Sequence, residues 1–576
     1  MRYLYLVACT CVVLALLTGC AASVESEPQH QGGNAAPLQH RWLFVMRNLN
    51  RGDNLERTLA LLPRAAASGY NAIVLSDGNL LRLDRADESY RQKVLKLQSE
   101  ARRQDLDLIP CVMPIGYSGM FMDYDPNLAE GVPVKDALFV AHDGVATVMA
   151  DPPVSLPGGD FEQAEGDVFA GWDMQDFPGK STFVDREVSH SGRASVRMEG
   201  IPAADPRYGH CRFMKEVKVR PFRQYHLSAW IKTEGFEAPS TITMLALAPT
   251  EDERSVCDIK PDVKRTQDWT RYDFAFNSVN WDSVRVYFGS WGGQGGRLWW
   301  DDVKLEETGL INVVRRTGCP ISVRGENGVT YEEGRDLEPL RDPNLRPWES
   351  YHEPPVIRLT AHSRIQEGER LRVSYYHSVV IGDSQVMCCL SEPRVYEILG
   401  EQIKQVNDLL HPKAFFMEHD EIRVANWDQA CQSRGLTPGQ MLADNVRRCR
   451  QIIKDVRPDA EIWVWSDMFD PMHNAHDNYY LVNGTWAGSW EGLASDIGIV
   501  NWYGELKGSN CKFFADSGHQ QVLAGYYDSD ENGSGIAEWL ANARSVPGVT
   551  GAMYTTWQDK YDAMEAWAEK AWGKQE

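Results

Sequence analysis

From residue 38 the chain alternates short apolar runs with amphipathic stretches of helical period. "RWLFVMRN" predicts a strand, "NLERTLALLPRAAASG" a helix ending at Gly69, and "YNAIVLSD" a second strand. "YRQKVLKLQSEARRQ" predicts another helix and "LDLIPCVMPIG" a third strand. Fully apolar strands separated by crossover helices imply parallel pairing. After about residue 150 the pattern changes to short strands of alternating polarity, among them "RASVRMEG", "YHLSAWIKTEG" and "RLWWDDVKLEE". Many turns and no helical stretch predict a β-sandwich there. A further β-rich piece follows, and helix–strand alternation then resumes with "EPRVYEILGEQIKQVNDLL" leading into "KAFFMEHDE".

Three parallel-type strands precede the insertion and five follow it. The predicted fold class is therefore α/β, a (β/α)8 TIM barrel interrupted after strand 3 by a jelly-roll sandwich and a small β-rich segment. The expected divisions are a signal peptide at 1–19, a tether at 20–37 and the first part of the barrel at 38–150. The sandwich is expected at 151–308, the small segment at 309–375, and the second part of the barrel at 376–576. An open doubly wound sheet would be the alternative, but the chain has no glycine-rich dinucleotide or phosphate fingerprint.

The N-terminus changes the picture of location. "MRYLYLVACTCVVLALLTGC" has one early Arg, a short apolar core and a Leu-Thr-Gly-Cys ending. That is an export signal rather than a spanning helix, and its ending resembles a bacterial lipobox. The resemblance implies lipidation at Cys20, a membrane partner through that lipid, and sorting to the outer membrane or cell surface, since Ala21 follows the cysteine. Nine scattered cysteines remain beyond residue 37 without any CxxC pair, so no zinc module is suggested, while one or two disulfides are compatible with export. A net charge of −22 argues against a nucleic-acid partner, because phosphate binding needs clustered Lys and Arg.

Candidate chemistry lies at the strand ends, which build the working face of such a barrel. Strand 1 ends near Arg47, strand 2 at Asp77, and strand 4 in "MEHDE" with His419, Asp420 and Glu421. Strand 5 ends in Trp465 and Asp467, strand 6 in Trp502, strand 7 in Tyr526, Tyr527 and Asp528, and strand 8 in Trp557. Aromatic walls around carboxylates suit a glycosidase: rings grip sugar faces and an acid protonates the leaving oxygen. A metal held by Glu418, His419, Asp420 and Glu421 together is disfavoured, because neighbouring strand residues point to opposite faces.

Residues 391–560 resemble family-20 glycoside hydrolases, the β-N-acetylhexosaminidase type. The resemblance rests on "EPRVYEILGEQIKQVNDLLHPKAFFMEHDE", "WVWSDMFD", "LAGYYD" and "GAMYTTW". It implies that Asp420 orients a substrate 2-acetamido group whose own oxygen attacks the anomeric carbon. Glu421 would act as acid and base with a raised pKa. Tyr527 or Tyr526 would bond the acetamido oxygen, Trp465, Trp502 and Trp557 would enclose the sugar, and Arg47 would bind hydroxyls. Asp77, His419, Asp467 and Asp528, from the strand ends, complete the candidate substrate-binding set, and no cofactor is expected for catalysis. Two departures stand out: Met417-Glu418-His419 occupies the family's His-x-Gly-Gly position, and "MPIGYSG" lacks its strand-3 histidine. An alternative uses two protein carboxylates, with Glu421 as acid and Asp528 as nucleophile. Another is a non-catalytic surface glycan binder.

The insertion resembles carbohydrate-binding modules of the family 4/9 type. "GGDFE", "GW" at 171–172, "SHSGRASVRM", "YHLSAWIKTEG" and "LWWDDVKLEE" occur in that order. The resemblance implies a galactose-binding-like jelly roll and a structural calcium with Glu162 and Asp302 as ligands.

Overall fold

The computed structural model describes residues 37–573, apart from 120, 253, 383, 507 and 531. The signal peptide and Cys20 lie outside the described residues. Eight parallel strands close into a barrel: β1 (His40–Met46), β2 (Ala72–Ser76), β3 (Asp107–Val112), β4 (Ala414–Met417), β5 (Glu461–Trp465), β6 (Ile497–Asn501), β7 (Gln521–Ala524) and β8 (Val549–Tyr554). Closure comes from β1 pairing with β8, His40 opposite Gly551. Between β3 and β4 lies the whole insertion, yet the two strands pair directly, Cys111 with Phe416 and Val112 with Met417.

Helices α1 (Asn54–Ala67) and α2 (Glu88–Arg103) connect the first three strands. Helix α3 (Pro393–Leu410) leads into β4, and α4 (Pro438–Val456) joins β4 to β5. Helices α5 (Ser509–Asp516), α6 (Ser534–Ala543) and α7 (Met564–Trp572) complete the circuit. The start of α4 is fixed chemically: Thr437 accepts from the Gln440 amide while the Gln440 side chain reaches back to the Thr437 amide. This reciprocal cap satisfies two amides that the helix itself cannot. In α3, Val395, Ile398, Leu399, Ile403 and Val406 recur at helical spacing and are buried against the barrel. No helix of the described residues is long and apolar enough to cross a membrane.

Strand alternation divides the barrel residues into two sets. Trp42, Phe44, Ala72, Val74, Ile109, Cys111, Ala414, Phe416, Trp463, Trp465, Val500, Val522, Ala524 and Met553 pack together inside the barrel. Their neighbours Leu43, Val45, Ile73, Leu75, Phe415, Met417, Val464 and Leu523 face the helices in the main core.

The insertion is nested. Strands 132–142 and 145–148 pair with 370–377 and 357–358, and a sheet of six strands results. Residues 132–148 therefore belong with the small β-rich segment rather than with the first part of the barrel. The run 132–142 is largely apolar, like the barrel strands, and its sheet partners lie more than 200 residues further along, so no local signal marks the boundary. Between the two halves of this sheet sits the sandwich, two five-stranded sheets around a core of Phe161, Phe213, Phe288 and Trp300. The buried ring of His377 joins the two units, its nitrogens within 3.1 Å of Gln224 Nε2 and 2.9 Å of Asn277 Nδ2.

Candidate active site

The mouth of the barrel is built by residues that continue the inward alternation past the strand ends. On β4, Phe416 is inward, so Glu418 and then Asp420 follow on the same side. Glu418 Oε1 accepts from Ser76 Oγ at 2.8 Å, and Cys111 also hydrogen-bonds this carboxyl. Burial pushes the Glu418 carboxyl up to about 7. Asp420 is half-buried, and among the described residues no side chain donates a hydrogen bond to it. Its pKa is driven well above the ordinary range, first by burial and then by the charges of Asp467, Glu421 and Glu418.

At Glu421 the alternation breaks. Its φ is +48°, a left-handed conformation unusual for a residue with a Cβ. Its amide donates to Asp467 Oδ2 at 2.9 Å. Its carboxylate is clamped from two sides: Arg423 Nη2 lies 2.7 Å from Oε1, and the Tyr117 hydroxyl donates to Oε2. Arg423 is buried, and its Nη1 donates to Gln385 Oε1 at 2.6 Å. Gln385 Nε2 in turn donates to the carbonyls of Glu421 and Gly116, both at 2.9 Å. Gly116 is required here, because a Cβ at that position would stand 1.7 Å from the Asp420 carbonyl oxygen.

Asp467 is fully buried and accepts from Asn474 Nδ2 at 2.9 Å, with the Trp502 side chain as a further partner. Burial raises its pKa as well. Trp465 is buried inside the barrel against Phe44 and Phe416, and Trp502 and Trp557 are half-buried beside the same cluster. Tyr526 stands exposed at the rim, its hydroxyl accepting from Gln558 Nε2 at 2.7 Å. Met46 at the end of β1, Tyr117 beyond β3 and Met472 beyond β5 are also exposed, so the rim presents apolar surface to solvent.

Asp420, Glu421, Trp465, Asp467, Trp502, Tyr526 and Trp557 are thus brought to one mouth. Four other expected residues are turned away, each by one step of the alternation. The Arg47 guanidinium faces the helices, paired with Asp559 at 2.6 Å and lying 4.8 Å above the Tyr561 ring. Asp77 accepts from the Leu49 amide, the Tyr90 hydroxyl and the Asn79 amide, which saturates it as a loop cap. His419 is buried on the α4 side, 3.0 Å from Asn445 Oδ1, and burial lowers its pKa to about 4. Tyr527 packs beneath α7 against Tyr554 and Trp567. Asp528 is committed as well: it accepts from the amides of Trp557 at 2.8 Å and Gln558 at 3.0 Å and from Thr556 Oγ1.

Sequence reasoning missed Tyr117, Gln385, Arg423 and Asn474. "IGYSG" sits at the end of strand 3 and carried the available signal for Tyr117; Gln385 lies in the insertion and gave none. Glu162 accepts from the amides of Arg193 (2.6 Å) and Ala194 (3.1 Å), and Asp302 Oδ2 lies 2.7 Å from His190 Nδ1. These two do not share a cluster of three or more cation-ligating side chains among the described residues. A cavity of about 520 Å³ lined by Asn127, Arg315, Arg316 and Arg341 lies in the inserted region, away from these carboxylates.

No family model matches the chain, and no curated protein matches it. Among solved structures, a chitobiase of Flavobacterium johnsoniae is similar over 93% of this chain and 48% of its own, at 8% identity and a TM-score of 0.38. The chain thus spans about half the length of that chitobiase. A CBM4 structure is similar over 27% of this chain and 99% of its own, at 17% identity and a TM-score of 0.20. TmCBM61, solved with β-1,4-galactotriose, is similar over 26% of this chain and 97% of its own, at 20% identity and a TM-score of 0.19.

Proposed function

We propose that the barrel is a glycoside hydrolase acting on N-acetylhexosamine-containing glycans with help from the substrate's 2-acetamido group. One observation carries the reading: Asp420 and Glu421, adjacent in sequence, follow β4 at the same end of the barrel where Trp465 ends β5 and Trp502 and Trp557 follow β6 and β8. Asp420 would accept the acetamido N–H, and that hydrogen bond would favour its ionised form. The acetamido oxygen would then displace the leaving group as Glu421 protonates it, and Glu421 would afterwards take a proton from water. Tyr526, which is exposed, rather than the enclosed Tyr527, would bond the closing ring.

The two-carboxylate alternative finds less support, since Asp528 accepts from the backbone amides of Trp557 and Gln558. A non-catalytic glycan-binding role retains one supporting observation, the close Arg423–Glu421 pair, which suits a fixed anion. In the same proposal the protein is exported and tethered by lipid at Cys20, and the sandwich presents glycan to the barrel.

Turnover of chromogenic N-acetyl-β-glucosaminide and N-acetyl-β-galactosaminide separates these readings. The proposal expects cleavage by the wild type, loss in Glu421→Gln, and inhibition by a thiazoline that mimics the cyclised intermediate. Absence of cleavage across a broad glycoside panel, with glycan binding retained, would establish the binding role instead.

A further inference from the structure

The sequence offers no CxxC pair, yet four ligand-type side chains meet where the insertion leaves and re-enters the barrel. Glu130 precedes the first strand of the six-stranded sheet, Cys389 precedes α3, and after β4 Asp428 caps a short helix, Gln429–Gln432, that carries Cys431. All four are buried, and their ligand atoms lie within 4.8 Å of one another. Cys389 Sγ is 3.6 Å from Cys431 Sγ, and Cys431 Sγ is 3.5 Å from Glu130 Oε2.

These separations have a physical meaning. A tetrahedral zinc ion with Zn–S of about 2.3 Å and Zn–O of about 2.0 Å places two sulfurs about 3.8 Å apart and a sulfur and oxygen about 3.5 Å apart. A disulfide would bring the sulfurs to about 2.05 Å. Arg316 supplies one counter-charge, at Asp428, and a divalent cation would balance the two thiolates, since buried charges are paired or coordinate metals.

The surroundings hold the donors in place. Glu130 Oε1 accepts from the Trp427 amide at 2.7 Å, which leaves Oε2 turned to Cys431. Asp428 Oδ1 accepts from the Cys431 amide at 2.9 Å, and Arg316 Nη2 donates to Asp428 Oδ2 at 2.7 Å. Such outer contacts orient ligands and share their charge.

We propose that Glu130, Cys389, Asp428 and Cys431 form a structural zinc site that clamps the β4 loop to the base of the insertion. Binding releases the two thiol protons to water, so affinity rises with pH. The site is independent of the glycosidase reading and needs no open coordination position.

The test uses the full chain purified under reducing conditions, loaded with zinc sulfate or with cobalt(II) chloride. About one zinc per chain by elemental analysis is expected, and cobalt should give a sulfur-to-metal charge-transfer band with the visible bands of a tetrahedral ion. Chelation should lower the melting temperature. The double variant Cys389→Ser, Cys431→Ser should lose at least tenfold of the zinc, whereas Cys449→Ser, buried elsewhere in α4, should keep it. Where the double variant does not fold, the wild-type cobalt spectrum and chelator response decide. Three results would overturn the proposal: zinc below about a tenth per chain after loading, zinc retained by a folded double variant, or a mass 2 Da short with both cysteines resistant to alkylation, which would show a disulfide.

Discussion

The amide of Glu421 donates to the buried carboxylate of Asp467 at 2.9 Å and ties the end of β4 to the loop after β5. The bond is made at the residue whose φ is +48°, where the regular alternation of β4 ends. In the proposed hydrolase Asp467 is therefore a positioning residue. Its replacement by Ala is expected to lower kcat more than it raises KM, by an order of magnitude or more, and steady-state kinetics on a chromogenic hexosaminide would read the split. An unchanged kcat would separate Asp467 from the chemistry.

In the proposed mechanism Glu421→Gln removes the proton donor, and general acid catalysis contributes about 10²–10⁴-fold. A loss in that range is expected, smaller for substrates with an activated leaving group, because these need little protonation. Melting curves should stay within a few degrees of wild type. Equal loss for good and poor leaving groups would count against the assignment.

Tyr117 donates to the same carboxylate from an exposed position, so Tyr117→Phe should cost little stability. It should shift the pH–rate profile and lower kcat several-fold. A variant indistinguishable from wild type in both would show that the contact is idle.

Glu418 gives a pH signature. In the unfolded chain a carboxyl titrates near pH 4, whereas in the folded protein burial holds Glu418 up to about 7. Below about pH 4 both states carry the proton. As pH climbs to about 7 the unfolded state releases it first, so this group's stability contribution falls with a slope of at most ~1.4 kcal/mol per pH unit. Glu418→Gln should flatten the decline of melting temperature over that window. An unaltered slope would refute it.

Asp528→Asn tests the alternative mechanism. As a loop cap its loss is expected to cost about 1–3 kcal/mol of stability by denaturant titration, with partial activity retained. Full stability with activity abolished and restored by azide would instead mark a nucleophile.

Much of this arrangement was legible in the chain itself. The apolar runs gave all eight barrel strands, and the split after the third followed from the change to alternating polarity. The site residues that went astray, Arg47, Asp77, His419 and Tyr527, share one cause. Each neighbours an inward position, and period-two alternation counted from Phe44, Val74, Phe416 or Ala524 assigns each of them outward. Asp528 keeps the inward phase but lies beyond β7, where the chain turns and backbone amides take its oxygens. Arg423, Gln385 and the Cys389–Cys431 contact could not be read this way, because a positive φ and a long insertion break the periodicity that would place them.

The pairing of Cys111 with Phe416 spans about 300 residues of chain. At a synthesis rate of about 5–20 residues per second, the first three strands emerge roughly 15–60 s before the strand that covers their edge. During that interval β3 presents an unprotected apolar border, and the sandwich has time to fold by itself. Ribosome-bound nascent chains arrested before residue 414 should therefore engage holdase chaperones through the first three strands, and release from them should coincide with the arrival of β4.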